Sequence, residues 1–193
     1  MDPLTDPSGG NLTTERLVLR SWTDEDADAL FRLSTDPEVM RHFPGFATRQ
    51  QIHEMAARHR ANLAAGRPGL YAVVVAATGT SIGFVGLTVP HFEAPFMPCV
   101  EIGWRLSRDA WGHGYATEAA RRVLAHGFET LRLPEIVSFT TVANEPSQAV
   151  MRRIGMHTDP AEDFDHPSVP EGHPVRRHVL YRLTADEWRS QVG

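Results

Sequence analysis

The hydrophobic positions of the chain change period several times, and each change predicts an element. Leu17, Val18 and Leu19, held between Arg16 and Arg20, form a short β-prone run and a first strand. Thr23 then caps a helix whose first turn carries Asp24, Glu25 and Asp26, where the helix dipole favours negative charge. Ala27, Leu30, Phe31 and Leu33 supply its apolar stripe, and Pro37 ends the helix or follows its end. A second helix starts at Thr48, which forms a capping box with Gln51, and runs through Ile52, Ala56 and Leu63 to the break at residues 66–68. Residues 40–46 between them are a loop with two aromatics, Phe43 and Phe46. The β-rich runs 71–77 and 81–89 flank Thr78, Gly79 and Thr80 and predict an antiparallel hairpin. A third run, 99–106, follows a proline-containing connection. From Ala116 the period becomes helical, with Ala120, Val123, Leu124 and Phe128 on one face. Residues 136–142 form another strand. Asn144, Pro146 and Gly155 mark the start and stop of a short helix, residues 175–183 are the last strand, and Thr184 with Glu187 caps a terminal helical turn.

This order predicts an α/β fold with a mixed sheet, since hairpin-linked middle strands exclude a purely parallel one. The length suits one core, so residues 13–193 are expected to form a single domain after a flexible leader, 1–12. Hydrophobic residues at 41% and charged residues at 22% match an ordinary soluble globular protein. The net charge of -5 lacks the basic excess of a nucleic-acid or anionic-membrane binder. Cys99 is the only cysteine, so neither an intrachain disulfide nor a cysteine metal cluster can form, and a reducing compartment fits. The proline- and glycine-rich start lacks a signal peptide's basic and apolar regions, and no apolar run nears the roughly 20 residues of a spanning helix. A cytoplasmic location is expected.

Chemistry is expected around residues 100–120, a strand, a glycine-containing turn and an amphipathic helix. Gly112 and Gly114 lack Cβ atoms and let backbone approach a ligand, and the helix after them directs unpaired N–H groups outward. Such a turn can hold a pyrophosphate, or it is only a tight turn. The lysine of a nucleotide-triphosphate P-loop is absent, and the spacing is not that of a dinucleotide fingerprint.

The run from Trp111 through Gly112, His113, Gly114, Tyr115, Ala116, Thr117 and Glu118 to Ala119, preceded by Glu101, Ile102, Gly103 and Trp104, resembles the acetyl-CoA-binding motif of the GNAT acetyltransferases, in particular their ribosomal-protein N-acetyltransferase-like branch. Residues 14–20 are similar to that branch's first strand, and Asn144 to Ser147 with Arg152 to Met156 to its second cofactor motif. The resemblance covers nearly the whole chain. It implies a largely antiparallel central sheet with splayed middle strands, flanked by helices, and transfer of an acetyl group to a primary amine.

By that resemblance the backbone of Trp104, Arg105 and Leu106 holds the pantetheine arm, and the amides of residues 112–117 hold the pyrophosphate. Asn144 and Ser147 face the arm from the other side, and Arg152 reaches a phosphate. Trp111 stands where glutamine or arginine often opens the family's motif; backbone amides carry the contact, so binding is expected to survive. Glu101 is the expected base, directly or through water, because a half-buried carboxylate can have a raised pKa; the alternative is an ordinary strand-surface glutamate. A backbone N–H near Leu106 would meet the oxyanion. Met151 stands where many relatives carry a tyrosine acid. Ser147 could steady the thiolate or only cap its helix, and a thiol with a pKa of about 8.5 can leave without a dedicated acid.

Phe43, Phe46, Phe92 and Phe96 are candidate acceptor-pocket aromatics, with ordinary packing as the alternative. Asp163 and Asp165 could attract a cationic amine or be solvated loop charges. Cys99 lacks a partnered histidine, and Asp163, Asp165, His166 and His173 match no common zinc spacing; no metal is expected. The acceptor is a protein N-terminus or a small-molecule amine such as a polyamine or an antibiotic. A homodimer is possible by the resemblance. The alternative function is a CoA-binding sensor or interaction protein without chemistry.

Overall fold

The computed structural model describes residues 10–192. Its elements in chain order are β1 (Leu12–Thr13), β2 (Leu17–Arg20), α1 (Asp24–Leu33), α2 (Pro37–Met40), α3 (Arg49–Ala64), β3 (Leu70–Val75), β4 (Thr80–Thr88), β5 (Glu101–Leu106), α4 (Tyr115–Ala125), β6 (Glu135–Thr141), α5 (Glu145–Arg153), β7 (His157–Thr158), β8 (Phe164–Asp165), β9 (Arg177–Thr184) and α6 (Ala185–Val192). They form one sheet in the order β1-β2-β3-β4-β5-β6-β9-β7, with β8 on β9. All neighbours are antiparallel except β5 and β6.

The expected mixed α/β sheet with splayed middle strands is present. The parallel pair β5–β6 has a single registered pair, Glu101 opposite Val137, and then the strands separate. Just above the divergence Ser138 Oγ donates to the Ile102 carbonyl at 2.8 Å, spanning the gap with a side chain where backbone can no longer reach.

Alternation along the strands sorts side chains into two cores. Leu17, Leu19, Tyr71, Val73, Val85, Leu87, Ile102 and Leu106 pack with α4 on one face. Leu70, Ala72 and Phe84 pack with Trp22, Leu30, Ile52 and Ala56 from the α1–α3 side. Each fully enclosed leucine contributes about 1.5–3 kcal/mol.

Local signals placed most elements. Thr23 and Thr48 both make capping boxes, with Asp26 and Gln51, and Thr184 bonds reciprocally with Glu187. Two details differ from expectation. The first strand begins at Leu12, a core residue within the expected leader; residues 1–9 of that leader lie outside the described residues. Pro37 follows the end of α1, as expected, and itself opens α2, because Asp36 caps that helix and proline fits a first turn. Residues 99 and 100 precede β5, which starts at Glu101.

Candidate active site

The splay opens into a cleft of about 1010 Å³. On one side stand Trp104, Arg105 and Leu106 of β5, and on the other Asn144, Pro146, Ser147, Ala149, Val150 and Arg153 of α5 and its cap. Ser107 N donates to the Ile82 carbonyl, and β4 pairs β5 with Gly83 opposite Leu106. In an antiparallel ladder the hydrogen-bonding direction alternates, so the backbone groups of Gly103 and Arg105 turn to β4, while those of Trp104 and Leu106 turn to the splay. Leu106 already uses its carbonyl there to accept from the Trp111 indole, at 3.0 Å. Trp111 therefore ties the glycine turn to the strand end. The sequence-based assignment of the Arg105 backbone to a ligand is corrected by this alternation: Arg105 offers the cleft its side chain.

Trp111, Gly112, Gly114, Tyr115, Ala116 and Thr117 all border the cleft. Gly112 and Gly114 both sit at φ 78, a left-handed conformation in which an L side chain is strained. Gly114 caps α4 without a side-chain partner. Among the described residues, no acceptor takes the N–H groups of residues 112–117. Six consecutive donors are thus left facing solvent at the positive end of a helix dipole, an arrangement that suits an anion.

Long-range contacts hold the turn. The Glu118 carboxylate accepts from Thr14 Oγ1 at 2.6 Å and from Arg16 N and Nε at 3.0 and 2.7 Å, while Arg16 Nη1 donates to the His113 carbonyl at 3.0 Å. The Arg16 guanidinium also lies 4.8 Å from the centre of the Tyr115 ring. His113 contributes its carbonyl to this clamp and stacks its ring on Tyr115; its side chain does not border the cleft.

On α5, Asn144 Oδ1 accepts from Ser147 N at 3.3 Å and its amide donates to Thr140 Oγ1 at 2.8 Å, so Asn144 acts as a helix cap. Ser147 borders the cleft. Arg152 is not brought to the cleft: it donates to Tyr181 Oη at 3.1 Å and lies 3.9 Å from Glu145. Arg153 borders the cleft in its place, together with Arg121, which donates to the Arg153 carbonyl at 2.8 Å. One residue is a 100° step on a helix, and Arg153 falls in phase with Pro146, Ala149 and Val150. Met151 is 2% exposed and packs in the main core, so its position does not face the cleft.

Glu101, at the start of β5, is not among the residues that line the cleft. It shares a strand face with Gly103 and Arg105, and Thr88 Oγ1 donates to its carboxylate at 3.3 Å. Burial outweighs that bond and pushes its pKa up to about 8. A Cβ on Gly103 would meet only Glu101 Oε1, at 3.8 Å, so the carboxyl group reaches over the glycine.

Of the candidate aromatics, Phe43 borders the cleft, whereas Phe46 is 63% exposed. Phe92 and Phe96 belong to a separate cluster with Phe139, Phe164, His166 and His178. Asp165 is ion-paired with Arg176 and Arg177, both at 3.5 Å, and Asp163 lies outside the cleft lining with one enclosed oxygen lacking a partner. The sequence reading did not single out His42, which borders the cleft with Nδ1 3.4 Å from Thr141 Oγ1. Burial and then Arg41 lower its pKa. Its signal was its place in the aromatic loop 40–46. Among the described residues no group of three or more His, Cys, Asp or Glu is placed to hold a metal, and no helix is long and apolar enough to cross a membrane.

The family model for the acetyltransferase (GNAT) domain matches residues 16–157. The chain belongs to the GNAT acetyltransferases. It is 33% identical over 187 residues to the FsC-acetyl coenzyme A-N(2)-transacetylase of Aspergillus fumigatus, covering 92% of this chain and 77% of that one. The crystal structure of the acetyltransferase from Agrobacterium tumefaciens str. C58 superposes with a TM-score of 0.70 at 31% identity, over 90% of this chain and 93% of that chain. RimL, the ribosomal L7/L12 alpha-N-protein acetyltransferase solved with coenzyme A, shares the fold at 15% identity, with a TM-score of 0.71 over 90% of this chain and 97% of that one. The protein is an acetyl-CoA-dependent N-acetyltransferase.

The donor set suits the phosphates of this co-substrate, since the open amides of residues 112–117 share one cleft with Arg16, Arg121 and Arg153. Glu118→Gln tests the clamp beneath that site. Hydrogen bonds to charged groups contribute about 1.5–3 kcal/mol, and losing one such contact is expected to raise KM for acetyl-CoA about tenfold, with a smaller change in kcat. Initial rates against acetyl-CoA concentration measure this; an unchanged KM would separate the clamp from cofactor binding.

Proposed function

We propose that this GNAT enzyme transfers acetyl directly to a primary amine, a protein N-terminus or a small-molecule amine, while both substrates are bound. The observation that carries this reading is the juxtaposition of the uncapped N-terminus of α4 with the outward-turned backbone of Trp104 and Leu106 at the splay. The amides of residues 112–117 take the pyrophosphate, with Arg121 and Arg153 beside it. The backbone of Trp104 holds the pantetheine arm, which supplies an activated acetyl thioester between β5 and β6. Ser147 faces that arm from α5.

Attack by a neutral amine forms the amide bond, breaks the carbon–sulfur bond and releases one proton and a thiolate. The Leu106 N–H is a fixed donor for the negative charge that develops on the carbonyl oxygen. Glu101 receives the amine's proton through water, and a pKa near 8 makes it an effective base around neutrality.

Thiol release from acetyl-CoA across a panel of N-terminal peptides, polyamines and aminoglycosides tests the proposal. Turnover is expected with one acceptor class, and the rate should depend on both substrates in a sequential pattern. A ping-pong pattern, with an acetylated protein surviving removal of CoA, would exclude direct transfer.

A further inference from the structure

A second cation stands apart from the phosphate site. Trp104 and Leu106 face α4, whereas strand alternation turns Arg105 to the opposite face with Glu101 and Gly103. The Arg105 guanidinium lies 4.0 Å from the centre of the Phe43 ring and 5.7 Å from that of Phe84, and Nη1 donates to Ser34 Oγ at 3.2 Å. Its Nε is enclosed and has no hydrogen-bond partner among the described residues. No ion pair to Arg105 is found among them either. Of the carboxylates that border the cleft, Glu118 pairs with Arg16, and Glu38 with Arg41 at 3.5 Å. Burial lowers the Arg105 pKa to about 10, which leaves the group charged at neutral pH.

Burying a guanidinium without a counter-charge is costly, and the planar fork of arginine matches a carboxylate. The phosphates of the co-substrate do not need Arg105, because Arg16, Arg121 and Arg153 surround the mouth of the turn. At Gly103, between them on the same strand face, a Cβ would meet only Glu101 Oε1, at 3.8 Å, and residues four apart on a strand are about 13 Å apart. That is room for a small molecule with an amine at one end.

We propose that Arg105 binds a carboxylate of the acceptor, so that the preferred acceptor is a primary amine that also carries a carboxylate, as amino acids and short peptides do. This rests on the reading that the acceptor approaches from the Glu101 side of the splay. Phe43 holds the guanidinium in place from the loop after α2, and Ser34 fixes its plane, leaving the second terminal nitrogen for the ligand.

The test pairs each acid with an amine that lacks the charge: L-amino acids against their α-carboxamides, and ω-amino acids from glycine to 6-aminohexanoate against n-alkylamines. With saturating acetyl-CoA, KM is expected to be at least tenfold lower for the preferred acid than for its neutral partner. Arg105→Met should raise KM for the acid at least tenfold, leave KM for the neutral amine and for acetyl-CoA unchanged, and Arg105→Lys should recover part of the preference. Phe43→Leu, which loosens the loop but keeps the cation, should keep it. Equal KM values for acids and neutral amines in the wild type, or a loss in Arg105→Met that is the same for both, would overturn the proposal.

Calorimetry with the N-acetylated acids and N-acetylated carboxamides on the CoA-loaded protein reads the same preference without turnover. Tighter binding of the acids, lost in Arg105→Met, supports the carboxylate site even if no thiol is released, in which case the direct-transfer reading fails alone. Turnover confined to amines without a carboxylate leaves direct transfer standing and removes the Arg105 assignment.

Discussion

Glu101→Gln is expected to lower kcat by about 10²-fold to 10⁴-fold, the usual contribution of a positioned general base, with KM for acetyl-CoA little changed. The pH dependence makes the expectation specific. The wild-type carboxyl group has a pKa near 8 because burial disfavours its charge and a single hydroxyl from Thr88 does little to offset that. Only the ionised form accepts a proton, so kcat/KM should rise about tenfold per pH unit below 8 and level off above it. The glutamine variant should lose that limb. Stability carries the same signature with the opposite slope. A glutamate in the unfolded chain has a pKa of about 4.3, so between about 4.3 and 8 the folded state binds the proton more tightly, and stability falls as pH rises through the folded value. The variant cannot ionise, and its stability should decline less over that window. Thermal melts from pH 5 to 9 measure this. An unaltered rate profile in Glu101→Gln would remove Glu101 from the reaction and leave a strand glutamate tolerated by its burial.

The largest effect on stability is expected from Gly83→Ala. In β4 the register to β3 passes from Val73 opposite Gly83 to Val74 opposite Ser81, so one residue, Ile82, is extra, and the strand bulges there. Gly83 takes a φ of +131, and a Cβ on it would lie 2.1 Å from the Arg105 carbonyl oxygen and 3.0 Å from Leu106 Cα. Both obstacles are backbone and cannot rotate away. The strained φ costs about 1–3 kcal/mol, and forced separation of β4 from β5 adds about 1–3 kcal/mol. A loss of roughly 3 kcal/mol or more should lower Tm by roughly 6–12 °C in a chain of this size. The displaced backbone is that of Arg105 and Leu106, so acetyl-CoA affinity should fall as well. Gly79→Ala is the control, because Gly79 has a φ of +70 with nothing within 4 Å of the added carbon. Its cost should stay near the 1–2 kcal/mol of the conformation alone. Equal melting temperatures for the two variants would show that the bulge relaxes around a side chain.

The site was legible wherever the signal was local. Gly112 and Gly114 announced a turn that needs left-handed backbone, and Asn144 with Pro146 announced the helix across the cleft; both are conditions a residue meets with neighbours a few positions away. Less legible was the choice among arginines. Arg152 and Arg153 are adjacent and chemically alike, and which one meets the cleft depends on the rotation of α5 about its axis, fixed by Met151, Ile154 and Met156 in the core. The partners of Glu118 lie 104 and 102 positions away, beyond any periodicity. The side chain of Arg105 was hidden for the same reason: Ser34 is 71 positions distant.

The sequence by itself determined the elements, their caps, the hairpin, the glycine turn and the order that resembles the GNAT family. Helix caps, turn φ angles and alternating burial are set within a few residues and need no knowledge of the fold. Only the tertiary structure decided that β5 and β6 part after one pair, that Glu101 loses enough water to hold a proton near neutrality, and that Arg105 is half-buried without a counter-charge among the described residues. Desolvation and ion pairing depend on what the rest of the chain brings within a few ångströms, and that is settled only when the sheet closes.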